Sequence, residues 1–309
     1  MVFMISSQTK KKKKKSNDEY GRRNPMHTPH LIALFVFFCF YAFLILFPYL
    51  WILANSFKNG YEEFIMNPMG LPEKLMFDNY LAIFNLEGFS VVRMFSNSLI
   101  LCFVCPTLSC ISCVTAGYVM AKYNFVGKKI IYTLYLLPMV ISICGTTMAT
   151  YTLLDSWNLI GNFASLMIMS CGGTGMSFLL MHALFVNVSD TYIEAAEIDG
   201  AGYFTVFFKV MLPHALGLVG TLWIMAFIGQ WNDYAGARIF LGIEPEYATI
   251  ATGLQYLYVQ VTATADPQYI NNYPMYYAAV IVTVIPMVVL FLCFQKQIMK
   301  LSLGGGIKE

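Results

Sequence analysis

Six long apolar runs, residues 31–53, 96–120, 130–153, 163–188, 206–230 and 276–294, alternate with polar segments along the 309-residue chain. Each is near or above the ~20 residues an α-helix needs to cross the hydrocarbon core of a bilayer. The pattern predicts an all-α polytopic membrane protein with six transmembrane helices. Pro48, Pro106, Pro138, Pro213 and Pro286 fall inside the runs, which spans tolerate where neighbouring helices re-satisfy the backbone. Cys171-Gly-Gly-Thr-Gly175 in the fourth run reads as a bend or a close-contact site, with helix packing through small residues the preferred reading.

One polar interruption, residues 191–213, differs from the others. Asp190, Glu194, Glu197 and Asp199 place four carboxylates in or beside it. Thr191 followed three residues later by Glu194 fits a capping box, so a helix is expected to start there. Ala195 and Ala196 extend it, and Gly200 and Gly202 offer places to end it. The predicted helix of roughly two to three turns is far too short to span a bilayer. Ala195, Ala196 and Ala201 keep its surface shallow enough for close contact with another protein, in the helix-in-groove mode. Tyr192 and Ile193 are either its anchors on that partner or face the underside of the membrane domain.

Composition and charge sharpen the topology. The chain is 58% hydrophobic and 12% charged, against about half and a quarter in soluble domains. Positive charge concentrates in the N-terminal tail, where Lys10 to Lys15 are unbroken and Arg22 and Arg23 follow. This reads as a disordered, solvated cytoplasmic tail over residues 1–30 that fixes orientation, with contact to acidic lipid headgroups a further use; it is not a nucleic-acid signal. The first run is longer than a signal-peptide core and lacks a small-x-small cleavage site, so it reads as a retained span. Glu62, Glu63, Glu73, Asp78 and Glu87 outnumber Lys58 and Lys74 in the first loop, which is placed outside. Lys122, Lys128 and Lys129 place the next loop inside, and Asp155 marks a short outer turn. Asp233, Arg238, Glu244, Glu246 and Asp266 fall in the last outer loop, and Lys296, Lys300 and Lys308 hold the C-terminus inside. The loop after the fourth run is cytoplasmic by this count yet acidic, and a protein contact accounts for that.

The chemistry on offer is sparse. Cys102, Cys105, Cys110 and Cys113 resemble paired zinc ligands, but the gap is too short for a zinc ribbon and all four lie on one apolar helix. They read as small hydrophobes, and no metal site is expected. The histidines, His27, His30, His182 and His214, form no pair with metal-ligand spacing. There is no GxxxxGK[ST] loop, no HExxH and no GxSxG. Ionisable groups are nearly absent from the middle of the runs, which argues against a proton- or sodium-coupled carrier. Any transport would draw its energy from elsewhere.

Glu194-Ala-Ala-Glu-Ile-Asp199-Gly200-Ala201, ending at Leu212-Pro213, resembles the EAA loop of bacterial ABC importer permeases. Trp231-Asn-Asp-Tyr234 resembles the signature of the carbohydrate-uptake branch after its fifth span, and Asn97-Ser-Leu99 the start of its second. Tyr118-Val-Met-Ala-Lys122 with Phe125-Val-Gly127, Ser56-Phe-Lys58, Asn67-Pro-Met-Gly-Leu-Pro72, Asn79-Tyr80 and the Gly304-Gly-Gly-Ile-Lys308 ending are similar to its loops and tail. The likeness, to the six-span maltose-type permease, covers nearly everything from about residue 30. Gly217 departs from it, standing where a second proline often follows, and the poly-Lys tail has no counterpart.

The resemblance implies a transmembrane domain over residues 31–309 with a core over about 92–300, in the plasma membrane with both termini cytoplasmic. It implies a coupling helix between spans 4 and 5, with Glu194, Ala195, Ala196, Asp199, Gly200, Ala201 and Pro213 serving ATPase coupling. It also implies a second permease chain, two cytoplasmic ABC ATPase domains that bind the ATP, an extracellular solute-binding protein, and no cofactor or enzymatic site of its own. Trp231, Asn232, Asp233, Tyr234 and Asn97 are candidates for the substrate path or outer gate; an aromatic belt with helix-end capping is the equal alternative for 231–234. The solute is expected to be a sugar or oligosaccharide. A permease for another solute such as glycerol phosphate stays open, as does a multi-span enzyme or receptor, although no polar catalytic cluster stands out within the spans.

Overall fold

The computed structural model describes residues 28–84, 90–141, 143–242, 246–263 and 271–304, all helix, turn or irregular chain with no strand among them. The basic tail lies outside the described residues, as do Glu87, Glu244, Asp266 and Lys308. The chain divides into two compact units, residues 1–54 and 55–309.

The first unit contributes helix α1, Thr28–Ser56, which runs on two residues past the unit's boundary. Its 27 residues from His30 to Ser56 have a mean hydropathy of 2.7. Residues 30–50 are exposed without exception. An apolar helix with no inward-facing stripe is one that lipid or another chain must cover.

The second unit opens on a folded loop. Short helices α2 (Gly60–Met66) and α3 (Asp78–Phe84) are tied together by backbone and side-chain bonds. The Asn79 amide donates to the Ser56 and Lys58 carbonyls at 2.9 and 2.8 Å, and Met76 N–H donates to the Phe57 carbonyl. Glu63 accepts from the backbone N–H of Asn59 and of Glu73. Lys58 is wholly buried at the centre, its ammonium donating to the Asn67 carbonyl. Burial pushes its pKa down, and the Glu63 carboxylate partly opposes that. Residues that look like an acidic surface loop are therefore a knot with a cation inside.

The bundle is built on α4, Val91–Lys122, which at 32 residues is about 48 Å long. Together with α8 (Met176–Asn187) and α10 (Leu212–Trp231) it forms the centre of the domain. Gly117 lets α8 approach closely, because a Cβ there would meet the Met181 and His182 backbone at 3.0–3.1 Å. Cys102, Cys105, Cys110 and Cys113 are buried along α4 and pack into three successive core clusters, consistent with their reading as small hydrophobes. The last helix, α13 (Tyr273–Gly304), presents Met275, Ala278 and Ala279 to the same core as Ile83 of α3.

Among the described residues the six expected runs do not all form continuous helices. Four helices are long and apolar enough to cross a membrane among the described residues: His30–Ser56, Val91–Lys122, Tyr203–Trp231 and Tyr273–Cys293. The third expected run divides into α5 (Lys128–Leu136), a 3-10 turn at Leu137–Met139 and α6 (Ile143–Ser156). Pro138 lacks the N–H that would continue α5 and its ring excludes a regular turn. The fourth divides into α7 (Phe163–Ser170) and α8 at residues 171–175. Gly173 and Gly175 there have φ of +50° and +71°, and the Gly172 carbonyl accepts from Ser112 of α4 at 3.1 Å. The glycine cluster therefore both breaks the helix and packs it. A fifth candidate exists only if α8 and the helix after it, bent by 68°, are counted as one.

Candidate functional site

The polar interruption forms α9, Thr191–Ile198, two turns long. The expected capping box is not made. Asp190 is the N-cap residue and Thr191 already lies inside the helix. The Asp190 carboxylate is taken by Lys122, at 2.6 Å, while the same ammonium donates to the Val188 carbonyl at 2.5 Å. Ser189 Oγ instead accepts the Thr191 N–H. With no backbone donor to serve, Glu194 points out, without a hydrogen-bond or ion partner among the described residues.

The C-terminus follows expectation closely. Gly200 has φ +80°. Its N–H donates to the Glu197 carbonyl and that of Ala201 to the Ala196 carbonyl, the paired bonds of a Schellman turn. Ile193, Ala196 and Ala201 pack against the core formed by α4, α8 and α10. Thr191, Glu194, Ala195 and Ile198 lie at i, i+3, i+4 and i+7 on the other face, all exposed, with Ile198 85% open. The sequence left the direction of Tyr192 and Ile193 undecided; Ile193 faces inward and Tyr192 is exposed, its ring 5.3 Å from that of His214.

Beyond Gly202 the chain re-enters the bundle through a turn at Tyr203–Thr205 and a π-helical stretch, Val206–Met211. Pro213 sits in the first turn of α10, where a missing N–H costs least. The widened turns before it relieve the ring of contact with the preceding carbonyls.

Lys122 thus pins the start of α9 to the end of α4, 6% exposed against 71% for Asp190. Lys122→Met is expected to raise amide exchange across residues 189–198 about tenfold, the equivalent of roughly 1.4 kcal/mol of lost charge-assisted bonding. Exchange within residues 101–118 stays as it was. Unchanged protection of α9 would show that its inner face alone holds it.

At the other end of α4 lie the remaining candidates. Trp231 is 6% exposed, stacked on Phe227 and edge-on to Phe95. It is a core residue, not part of an aromatic belt, because α4, α10 and α12 (Ile250–Ala263) close over it. Asn232 ends α10, and Asp233 accepts from Gly236 N–H to cap the next helix, α11 (Tyr234–Phe240). The Asn97 amide spends both hydrogens on the Glu246 and Ala248 carbonyls, at 2.8 and 3.0 Å, and Ser98 Oγ accepts from Ile250 N–H. Asn97 thereby fixes the start of α12. Thr249 and Thr252 form there the reciprocal cap that α9 lacks. Tyr234 opens onto a cavity that sequence reading missed; its lining mixes Arg238, Gln255 and Gln260 with tyrosines. The one available signal was a run of polar side chains on helices inside what reads as a loop.

The geometry is that of an all-α membrane domain with a short exposed helix pinned to one end of its central helix. Residues 113–300 match the family of binding-protein-dependent transport system inner membrane components, and the chain belongs to that family. It is 28% identical to the arabinooligosaccharides transport system permease protein AraQ of Bacillus subtilis (strain 168), over 93% of this chain and 99% of that protein. It is 26% identical to the diacetylchitobiose uptake system permease protein NgcG of Streptomyces coelicolor, over 84% of this chain and 82% of the other. Its fold is similar to a chain from the crystal structure of a bacterial ABC transporter that imports the acidic polysaccharide alginate. There the TM-score is 0.75 at 20% identity, covering 89% of this chain and 98% of that one. The protein is a permease of a multi-pass membrane transport system.

Proposed function

We propose that this chain is a permease subunit of an ATP-driven importer for a sugar or oligosaccharide, and that α9 is the helix through which a cytoplasmic ATPase drives it. The exposed stripe of α9 carries the reading. Ile198 is left 85% open beside a carboxylate with no partner among the described residues, and a groove in a partner would bury it. Sugar transport draws on the names of relatives such as AraQ and NgcG. The energy source is external because the chain has no phosphate-binding loop of its own.

In this reading a second permease chain completes the path, two ABC ATPase domains sit under the α9 end, and a solute-binding protein delivers solute at the opposite end. ATP binding closes the ATPases and carries α9 with them, biasing the permease between inward- and outward-facing states. Lys122 makes α9 move with α4 rather than swing alone. Both termini are then cytoplasmic. In this reading the transport domain spans residues 31–309, with a core from about 92 to 300, and the basic segment precedes it in sequence. Tyr234 and its neighbours lie at the outer gate.

The test is Ile198→Asp in the transporter assembled with its partners and reconstituted in proteoliposomes. A carboxylate forced into an apolar groove loses several kcal/mol of contact and solvation. Labelled oligosaccharide uptake and co-purification of the ATPase are expected to fall by ~10-fold or more, with the amount of permease in the membrane unchanged. Full ATPase binding and full uptake would remove α9 from the coupling role.

A further inference from the structure

The cavity between α11 and α12 is not accounted for by coupling, by packing or by the α9 end. It encloses about 280 Å³, just under the ~300–1,000 Å³ of small-molecule sites, room for one sugar unit rather than a chain. Met94 of α4 belongs to its wall. Met94 and Lys122 are 28 residues apart on one helix, about 42 Å, more than the ~30 Å hydrocarbon core. The cavity and α9 therefore open on opposite faces of the membrane. With α9 against an ATPase, the cavity faces arriving solute.

Its lining is unusual for the junction of apolar helices. Arg238 from α11 and Gln255 from α12 bring guanidinium and amide donors, and Tyr234 and Tyr256 bring ring faces with hydroxyls. This combination of flat apolar surface and forked donors suits a polyhydroxylated ring. The wall is also held in place: Asn97 and Ser98 bolt the start of α12 to α4. No carboxylate belongs to the lining among the described residues. Arg238 makes no ion pair or hydrogen bond among the described residues, in a chain where the one ion pair among them is Lys122–Asp190.

Arg238 is exposed at this cavity and has no counter-charge among the described residues, and a ligand can bring one. We propose that this cavity is an outer subsite for the end unit of an anionic carbohydrate or polyol, whose carboxylate or phosphate pairs with Arg238 while its hydroxyls bond Gln255. The subsite rests on the transporter reading above, including the placement of α9 on the ATPase side. Arg suits it better than Lys, because its fork can engage two oxygens at once.

The test uses the full-length chain purified with its accompanying transporter subunits in lipid nanodiscs, and three probes: digalacturonate, glycerol 3-phosphate and neutral cellobiose. Binding of each is measured by titration calorimetry for the native chain, Arg238→Gln, Arg238→Lys and Gln255→Ala. One of the two anions is expected to bind at least ~10-fold tighter than cellobiose, and which of them does so separates a uronide from a phosphate. Arg238→Gln abolishes that preference, Arg238→Lys restores it in part, and Gln255→Ala weakens binding without erasing it. Equal affinity for all three probes, no binding of any, or an anion preference that survives Arg238→Gln overturns the subsite. If the subsite fails while Ile198→Asp still stops oligosaccharide uptake, the transporter reading stands alone.

Discussion

Gly200→Val is expected to leave a folded permease in the membrane whose partner ATPase no longer responds to substrate. Gly200 closes α9 with φ +80°, a region in which a branched side chain costs about 1–3 kcal/mol. A Cβ added there meets nothing within 4 Å, so the penalty is purely one of backbone shape. The chain avoids it by giving up the Schellman turn, which releases the Glu197 and Ala196 carbonyls and frays the last turn of α9. Ile198 and Asp199 stand on that turn, and with them the open end of the exposed stripe. Substrate-stimulated ATP hydrolysis in the reconstituted transporter should fall ~10-fold or more, with surface level and thermal midpoint within the error of the native protein. Gly200→Asn, which tolerates the left-handed region, should retain most of the activity. Equal activity in Gly200→Val and the native chain would mean that the shape of this turn does not matter to coupling.

Much of this was legible because it depends on local rules. The length of α9, its glycine stop and the exposure of its acidic face follow from residues 191–200 alone. The missing capping box does not, because the competitor for Asp190 is Lys122, 68 residues away on another helix. The span pattern shows the same division. Apolar runs announce that a segment lies in the membrane, but hydropathy is indifferent to whether it crosses as one helix. Pro138 and the glycines at 172–175 decide that, through backbone geometry and through contact with α4. The place of Trp231 was open in the sequence for a related reason. An aromatic at the end of an apolar run has the composition of an interface belt, and only the packing of α4, α10 and α12 over it makes it core. The cavity lining was the least visible feature, since Arg238, Gln255 and Gln260 come together only because α11 and α12 are helices where the sequence suggests a loop.

Gly173→Val should do what Gly200→Val does not, and remove the folded protein. Gly173 combines a φ of +50° with the closest backbone approach in the domain's middle. A Cβ there would lie 2.6 Å from Cys113 N, 2.7 Å from Ser112 Cβ and 2.8 Å from the Ser109 carbonyl oxygen. Two of those three are main-chain atoms of α4, which cannot turn aside as the end of a flexible side chain can. Either α7 and α8 separate from α4 or the break at 171–175 refolds, and both give up the Ser112–Gly172 bond. Strain and overpacking together amount to about 3–5 kcal/mol, a large part of a domain's net stability. Detergent-solubilised Gly173→Val is expected to elute as aggregate, and the milder Gly173→Ala to melt roughly 10 °C lower. The neighbouring Gly172→Ala is the control: its new Cβ would find its nearest contact at 3.6 Å, so its midpoint should move by no more than ~2 °C. Equal behaviour of the two alanine variants would mean that α4 and the glycine break do not touch as described. Because α8 leads directly into α9, loss of Gly173 also loses coupling. The two valine variants are told apart by how much permease reaches the membrane: none of it folded at 173, all of it folded but uncoupled at 200.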